Sequence, residues 1–229
     1  MTLPLLISVP HAGLIVPEEV AQYCILTPDQ IIKDGDEGAA EIYALRDDVD
    51  TFMTTDIARA IVDLNRVCDD RRADGVVKTH TCWNEPVYDP APPESLFNDL
   101  LDRYYEPYHR DLESRFTSDI LLAVDCHTMA AVGPPIGPDT GQPRPMVCLG
   151  DGNGTTLPDG WMDKLAACFR ETFDGDVTIN RPFAGGYITR THGQHHPWVQ
   201  LELSRDPALS SEAKRSRVLG ALTTFCASC

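Results

Sequence analysis

Two histidines stand at the ends of two apolar runs. His11 follows the run 5–9, and His127 follows the run 120–124. Short apolar runs are typical of buried strands, and ligands of open α/β sheets bind at the carboxyl ends of the strands. Two imidazoles that converge there would form most of a zinc site, which a carboxylate and an open position would complete. We therefore predict that His11 and His127 bind Zn²⁺.

Several carboxylates could supply the third zinc ligand. Asp36, Glu37 and Glu41 cluster where a glycine-punctuated turn runs into a helix. Asp125 precedes His127 by two residues, so it points to the same side of a strand and could orient the imidazole or touch the metal itself. We take Glu37 as the ligand and leave the other three open.

A glutamate lies inside a third apolar segment. Glu202 stands between two leucines in 200–205, and a carboxylate on a buried strand is costly unless it is paired or functional. Burial raises the pKa of a carboxyl group, which suits a general base at neutral pH. We predict that Glu202 is this base; the alternative is an ion pair with Arg205 or another arginine.

Basic and amide side chains predict an anionic substrate. Asn65 and Arg66 end an apolar segment, and the guanidinium fork of arginine matches a carboxylate in two-point contact. The glycine-rich stretch 185–193 carries further polar groups and reads as a loop that faces the substrate. The predicted substrate contacts are Asn65, Arg66, Arg71, Tyr187, Arg190 and His192, with Arg72 as a further candidate and with Arg66 also assisting catalysis.

Alternating strands and helices must position these residues. The patterns predict strands over 3–9, 51–54, 119–125, 146–149, 177–180 and 199–203, and helices over 28–33, 39–45, 96–116, 161–173 and 210–225. Long loops are predicted over 69–94, 129–144 and 181–196. We expect a three-layer α/β/α fold with a central mixed sheet, forming a single catalytic domain over residues 1–229.

Composition narrows the class of protein. The formal net charge of −16 argues against a nucleic-acid partner, because phosphate binding needs a basic face. No apolar run approaches 18 residues and no signal peptide is visible, so we expect a cytoplasmic protein without a membrane partner. We expect the eight cysteines to be reduced thiols, with Cys126 in the core. Oligomeric state is left open.

Taken together, these segments resemble the N-formylglutamate amidohydrolase family, which is similar in plan to zinc-dependent exopeptidases and aspartoacylase-like enzymes. The resemblance rests on motifs in order along most of the chain: Ser8-Val-Pro-His-Ala-Gly13, Asp36-Glu37, Asp63-Leu-Asn-Arg66, Asp125-Cys-His-Thr128, Ala184-Gly-Gly-Tyr187 with Thr189-Arg190, and Gln200-Leu-Glu-Leu-Ser-Arg205. It implies a phosphorylase/hydrolase-like fold in which two histidines and a carboxylate hold zinc, an Asn-Arg pair grips the substrate carboxylate, and a late glutamate is the base.

The resemblance also implies a reaction. Zinc would lower the pKa of its water and polarise an amide carbonyl, while Glu202 moves the proton to the leaving amine. Arg66 or Arg190 would neutralise the substrate carboxylate or the developing oxyanion. The substrate would be a small anionic N-acyl amino acid, most simply N-formylglutamate, which yields formate and glutamate in histidine breakdown.

Two alternatives remain from the residues. One is a related zinc amidase or carboxypeptidase that acts on another N-acyl amino acid or on a peptidoglycan amide. The other is a non-catalytic protein that binds a metal or an acidic ligand. The second is disfavoured because binding alone does not need the Glu202 carboxylate.

Overall fold

A six-stranded mixed sheet forms the centre of the molecule. The computed structural model describes residues 2–135, 139–174 and 176–229. The strands, in chain order, are β1 Leu3–Val9, β2 Val49–Thr54, β3 Leu122–Met129, β4 Val147–Gly150, β5 Val177–Ile179 and β6 Trp198–Ser204. Their order across the sheet is β2-β1-β3-β6-β4-β5. Strand β4 runs antiparallel to β6, and all the other neighbours are parallel.

Helices cover both faces of this sheet. They are α1 Glu18–Ala21, α2 Pro28–Asp34, α3 Ala39–Ile42, α4 Glu94–Leu100, α5 Glu106–Arg115, α6 Trp161–Thr172, α7 Tyr187–His192 and α8 Ser211–Ala227, with a π-helical segment Leu101–Tyr105 that joins α4 to α5. Helix α2 begins as the sequence dictates, because Thr27 and Gln30 form a reciprocal capping box and Pro28 occupies the first turn.

Side-chain alternation along β1 divides the core into two layers. Leu5 and Ile7 face α3, α6 and α8, whereas Leu6 faces the α4–α5 helix and α7. All of β3 and β6 is buried, as expected for central strands covered on both faces. The predicted three-layer α/β/α fold with a mixed sheet is therefore confirmed.

Three predicted elements need correction. Strand β3 extends to Met129 rather than ending at residue 125, because it pairs with β6 at seven consecutive positions, so that His127 lies within a strand. The helix predicted over 39–45 stops at Ile42, and Tyr43 instead donates its hydroxyl to the carbonyl of His127 at 2.7 Å. The predicted loop 181–196 contains α7, which begins directly after two glycines.

Two of the predicted loops and the burial of Cys126 are confirmed. Residues 69–94 form a loop up to the start of α4. The loop predicted over 129–144 contains neither helix nor strand between β3 and β4 in its described part, and residues 136–138 lie outside the described residues. Cys126 is fully buried in the core, and all eight cysteines are free thiols. No helix in the described chain is long and apolar enough to cross a membrane.

Candidate active site

The predicted chemistry converges at the carboxyl edge of the three parallel strands β1, β3 and β6. His11 follows β1, His127 lies near the end of β3, and Glu202 pairs with His127 in register on β6. All three line one cavity of about 530 Å³, together with Asp36 from the turn after α2. The strand-end rule thus brings together residues that are up to 191 positions apart in the sequence.

Three of these side chains surround one point. The Nδ1 atoms of His11 and His127 are 3.1 Å apart, and Oδ2 of Asp36 lies 3.0 Å from Nδ1 of His127 and 3.5 Å from Nδ1 of His11. Each residue is at most 7% exposed. Bonds of about 2.0–2.1 Å in a tetrahedral zinc site imply edges of about 3.3 Å between ligand atoms. The three side chains therefore fit one divalent ion.

A buried aspartate stands behind each imidazole. Nε2 of His11 is 2.8 Å from Oδ1 of Asp63, and Nε2 of His127 is 3.0 Å from Oδ2 of Asp125. When each Nε2–H donates to its carboxylate, both Nδ1 lone pairs point to the same place. Two lone pairs at that separation repel each other unless a cation lies between them, and carboxylate-backed imidazoles are typical of metal ligands.

The electrostatics of the cluster follow from burial and close opposite charges. Burial favours the protonated form of Asp36 and Asp63. The imidazoles around Asp36, and Arg59 and Arg66 around Asp63, outweigh that effect and hold both pKa values well below the usual range. Burial lowers the pKa of His127, but Asp125 and Asp36 raise it well above its ordinary value.

The third side chain of the cluster is Asp36, not the predicted Glu37. Asp36 donates its amide to the carbonyl of His11 at 3.1 Å and accepts the amide of Thr128 on Oδ2 at 3.1 Å, which aims its carboxylate inward. Glu37, the next residue of the turn, is exposed and does not belong to the cluster of His11, Asp36 and His127. Glu41 is also exposed. We therefore replace Glu37 by Asp36 in the proposed ligand set.

Glu202 stands beside the cluster without joining it. It is 6% exposed, and its Oε1 accepts from Nε2 of Gln200 at 2.7 Å. Burial, together with the charge of Asp36, raises the pKa of Glu202 against the opposing effect of His127. The alternative pairing with Arg205 does not form: Arg205 donates Nε to Oγ1 of Thr128 at 3.0 Å instead.

Two predicted substrate residues line the cavity. Asn65 lies with Nδ2 3.2 Å from Nε2 of His127, and its Oδ1 accepts the amide of Ile188 at 2.8 Å. Gly186 packs so closely on Asn65 that a Cβ there would lie 2.3 Å from its amide nitrogen. Arg66 is partly exposed, and its Nε donates to the carbonyl of Asp74 at 3.3 Å. Asn65 therefore forms the wall of the site, and Arg66 presents a cation to it.

Four other predicted contacts lie away from the cavity. Arg71 and Arg190 are exposed, and neither lines it. Tyr187 and His192 belong to α7, whose helical turn directs them towards α5: the ring of Tyr187 lies 5.3 Å from that of His109, and Nε2 of His192 is 3.0 Å from its Nδ1. We remove these four from the proposed substrate contacts.

Sequence reasoning missed several cations that line the cavity. Arg144 makes a two-point ion pair with Asp139 at 2.6 and 2.9 Å. Arg59 also lines it and donates Nε to Oδ2 of Asp63 at 3.0 Å. Arg72, the further candidate from the sequence, lines the cavity, whereas Arg71 does not. The four-residue spacing of Arg59 and Asp63 could have indicated an ion pair between them. Arg144 lies in a Gly/Pro-rich loop, where no pattern indicates a role.

The matches to known proteins cover nearly the whole chain, and they point to one family. Residues 3–208 match the family model described as N-formylglutamate amidohydrolase. The chain is 27% identical over 219 residues to an N-formylglutamate deformylase of Pseudomonas putida, covering 89% of this chain and 80% of the relative. It is 25% identical over 226 residues to the deformylase of Pseudomonas aeruginosa, covering 92% and 84%. The crystal structure of an N-formylglutamate amidohydrolase from Ralstonia eutropha JMP134 superposes with a TM-score of 0.78 at 20% identity, covering 99% of this chain and 92% of that one.

Proposed function

The chain belongs to the N-formylglutamate amidohydrolase family, and on that premise we propose that it hydrolyses the formyl amide of N-formylglutamate to formate and glutamate. One observation carries the assignment. The nitrogens of two imidazoles and an oxygen of one carboxylate lie 3.0–3.5 Å from one another around a single point. A second buried carboxylate, Glu202, lines the same cavity but does not belong to this cluster. The names of the relatives support the choice of substrate.

We infer that His11, Asp36 and His127 hold one divalent ion, and that the ion is zinc. Two imidazole nitrogens and one carboxylate oxygen are a common donor set of catalytic zinc, which keeps a further position open. When bound, such an ion supplies a Lewis acid that polarises an amide carbonyl and makes water more acidic. Asp63 and Asp125 keep the two rings oriented towards it.

Glu202 moves the proton. Its Oε1 is engaged by Gln200, so Oε2 is the atom that accepts a proton from the attacking water. Its raised pKa makes it a stronger base than an exposed glutamate and an acid able to return that proton to the leaving nitrogen. One residue can therefore serve both steps: it takes a proton from water and returns it to the leaving nitrogen.

Arg66 is the best-placed cation for a substrate carboxylate. Its NH2 atom is 3.7 Å from Oδ2 of Asp74, and within the described residues its two terminal nitrogens make no hydrogen bond, so they can meet a carboxylate. Arg144 is occupied by two short bonds to Asp139. We expect Arg66→Lys to raise KM at least about tenfold with kcat less affected, because an ammonium cannot make a planar two-point contact. The matched control, Arg71→Lys, changes an exposed arginine outside the cavity and should leave KM unchanged.

Formate release from a panel of substrates tests the proposal. N-formyl-L-glutamate should be turned over with the highest kcat/KM, and N-formyl-L-glutamine, which lacks one carboxylate, should be poorer by at least about tenfold because one charge-assisted contact is lost. Equal kcat/KM values for the two compounds would refute the claim that the enzyme selects a substrate with a carboxylate side chain. Absence of formate from every compound in the zinc-loaded protein would refute deformylation.

The size of the cavity favours a second candidate function. Cavities of about 300–1,000 Å³ accommodate drug-sized ligands, and N-formylglutamate would not fill a volume of about 530 Å³. A related amidase that acts on a larger N-acyl amino acid or a peptidoglycan amide would use the same residues. Faster cleavage of an N-acyl dipeptide than of N-formylglutamate would decide for this candidate.

A further inference from the structure

A cluster of four charges, three of them fully buried, lies behind His11. Asp34, Lys78 and Asp63 are fully buried, and Arg59 completes the charge cluster. Nζ of Lys78 is 2.8 Å from Oδ2 of Asp34 and 3.8 Å from Oδ2 of Asp63. Nε of Arg59 is 3.0 Å from Oδ2 of Asp63. Two cations balance two anions, yet only Asp63 touches a proposed metal ligand.

The two oxygens of Asp63 have separate partners. Oδ1 accepts from Nε2 of His11 at 2.8 Å and from the amide of Asn65 at 3.0 Å. Oδ2 faces the two cations of the charge cluster and lies 3.9 Å from Nε of Arg66. The angle at which Asp63 meets the imidazole is therefore fixed from behind, by Arg59 and Lys78.

Arg59 joins the carboxylate of Asp63 to the main chain of Asp34. While Nε binds Asp63, NH1 donates to the main-chain carbonyl of Asp34 at 2.9 Å. The Asp34 carboxylate would attract the same guanidinium if it had no other cation. Lys78 prevents this, since it neutralises Asp34, whose second oxygen accepts the amide of Cys82 at 2.7 Å.

We propose that Lys78 is a positioning residue for the metal site: by pairing with Asp34 it keeps Arg59 on Asp63, and Asp63 holds the Nε2–H of His11 so that Nδ1 faces the ion. The inference rests on the proposed metal-dependent function. It gives a role to a lysine that lies in the long loop 69–94 and does not line the cavity. Fixing the tautomer of a ligand through its outer partner is known to affect metal affinity.

A second buried lysine supplies a matched control. Lys214 is 4% exposed, and its Nζ donates to the carbonyls of Ser204 and Asp206 at 2.7 and 2.9 Å. It has no contact with the charge cluster. Replacing either lysine by methionine removes a buried ammonium and lowers thermal stability, so a difference between the two variants in metal binding is not a general effect of destabilisation.

The test is zinc affinity, measured on metal-free proteins by competition with a chelator. We expect Lys78→Met to weaken zinc binding about tenfold, the lower end of the range for a lost outer partner, because Asp63 is kept but held less firmly. Lys214→Met should stay within about threefold of the unchanged protein, since distant sites act independently. Equal affinities in the two variants would overturn the proposal.

A double variant tests the mechanism itself. Asp34→Asn added to Lys78→Met removes the carboxylate that competes for Arg59, and loss of a whole buried ion pair is better tolerated than loss of one partner. We expect zinc affinity to return to within about threefold of the unchanged protein. A double variant as weak as Lys78→Met would contradict the proposal. The double variant also tests the proposal if Lys78→Met does not fold. A tenfold loss of zinc affinity in the double variant would show that competition between Asp34 and Asp63 for Arg59 is not the reason why Lys78 matters.

The tautomer of His11 separates this inference from the proposed function. In metal-free protein with ¹⁵N-labelled histidine, NMR should show His11 protonated at Nε2, and in Lys78→Met a shift towards the Nδ1–H form. If the unchanged protein binds no zinc, the metal proposal fails and this readout alone decides the role of Lys78. An identical His11 spectrum in the two proteins would overturn that role.

Discussion

Replacing Glu202 by glutamine isolates the proposed general base. Glutamine keeps the shape of the side chain, and its amide oxygen can still accept the hydrogen bond that Gln200 donates at 2.7 Å. Only the ability to take up a proton is lost. The replaced group does not belong to the cluster of His11, Asp36 and His127, so zinc binding should be preserved.

The size of the effect follows from the absence of a substitute base. Among the described residues that line the cavity, the remaining carboxylates belong to Asp34, Asp36 and Asp74, and each faces a cation or a donor: Asp34 faces Lys78, Asp36 the imidazole of His127, and Asp74 Arg66 at 3.7 Å. Loss of a general base costs about 10²–10⁴ in rate. We expect kcat to fall at least about 100-fold, which corresponds to about 2.7 kcal/mol or more of transition-state stabilisation.

The assay is formate release under saturating N-formylglutamate, with zinc content measured on the same samples. KM and the unfolding temperature of Glu202→Gln should stay close to those of the unchanged protein, because a buried charge is replaced by a neutral group with the same hydrogen bond. Glu37→Gln, an exposed change nearby, serves as the control. If Glu202→Gln loses zinc, Glu202 is a ligand; if it keeps both zinc and rate, the proton-transfer scheme is wrong.

Three further predictions address the metal, the cavity wall and the buried histidines. Asp36→Asn should lower zinc affinity at least about 100-fold, which is more than loss of an outer partner costs, whereas Glu37→Gln should stay within about threefold of the unchanged protein. Competition with a chelator measures both affinities. If Glu37→Gln loses more affinity than Asp36→Asn, Glu37 is the ligand. Gly186→Ala should reduce kcat/KM at least about tenfold, because its Cβ would lie 2.3 Å from the Asn65 side chain; unchanged kinetics would show that this wall is adaptable. Burial and a neighbouring imidazole lower the pKa of His109 to about 4. Between about pH 6.5 and pH 4 the unfolded chain therefore binds a proton that the native chain does not. The free energy of unfolding decreases as the pH falls through that window. Urea unfolding should show that the free energy of unfolding decreases by roughly 2–3 kcal/mol more in the unchanged protein than in His109→Asn over this pH range. If the two proteins lose the same amount, His109 is not the source of the effect.

The sequence predicts the parts of the site that depend on strand ends. Apolar runs fixed where β1, β3 and β6 lie, and parallel neighbours necessarily bring His11, His127 and Glu202 to one edge. The sequence pointed to Glu37 rather than Asp36 for the third position of the cluster because the two are adjacent in an irregular turn, where no periodicity indicates which carboxylate points inward. That choice depends on long-range bonds from Asp36 to His11 and Thr128.

Loops and short helices hid the remaining features. Helix α7 has six residues and follows two glycines, so its glycine-rich sequence reads as a loop, and its helical turn directs Tyr187 and His192 away from the cavity. Lys78 gave no signal, because a lysine in a polar loop reads as solvated unless its buried carboxylate partner is known. Burial of charge is set by tertiary contacts between segments far apart in the chain.

The central claim is that one zinc ion, held by His11, Asp36 and His127, enables this chain to deformylate N-formylglutamate. Titration of metal-free protein with zinc, while formate release is followed, tests it most directly. We expect no release without metal, a rate that rises linearly and stops rising at one equivalent of zinc per chain, and no such rise in Asp36→Asn at the same zinc concentrations. Full formate release by the metal-free protein, or none at any zinc concentration, would contradict the claim.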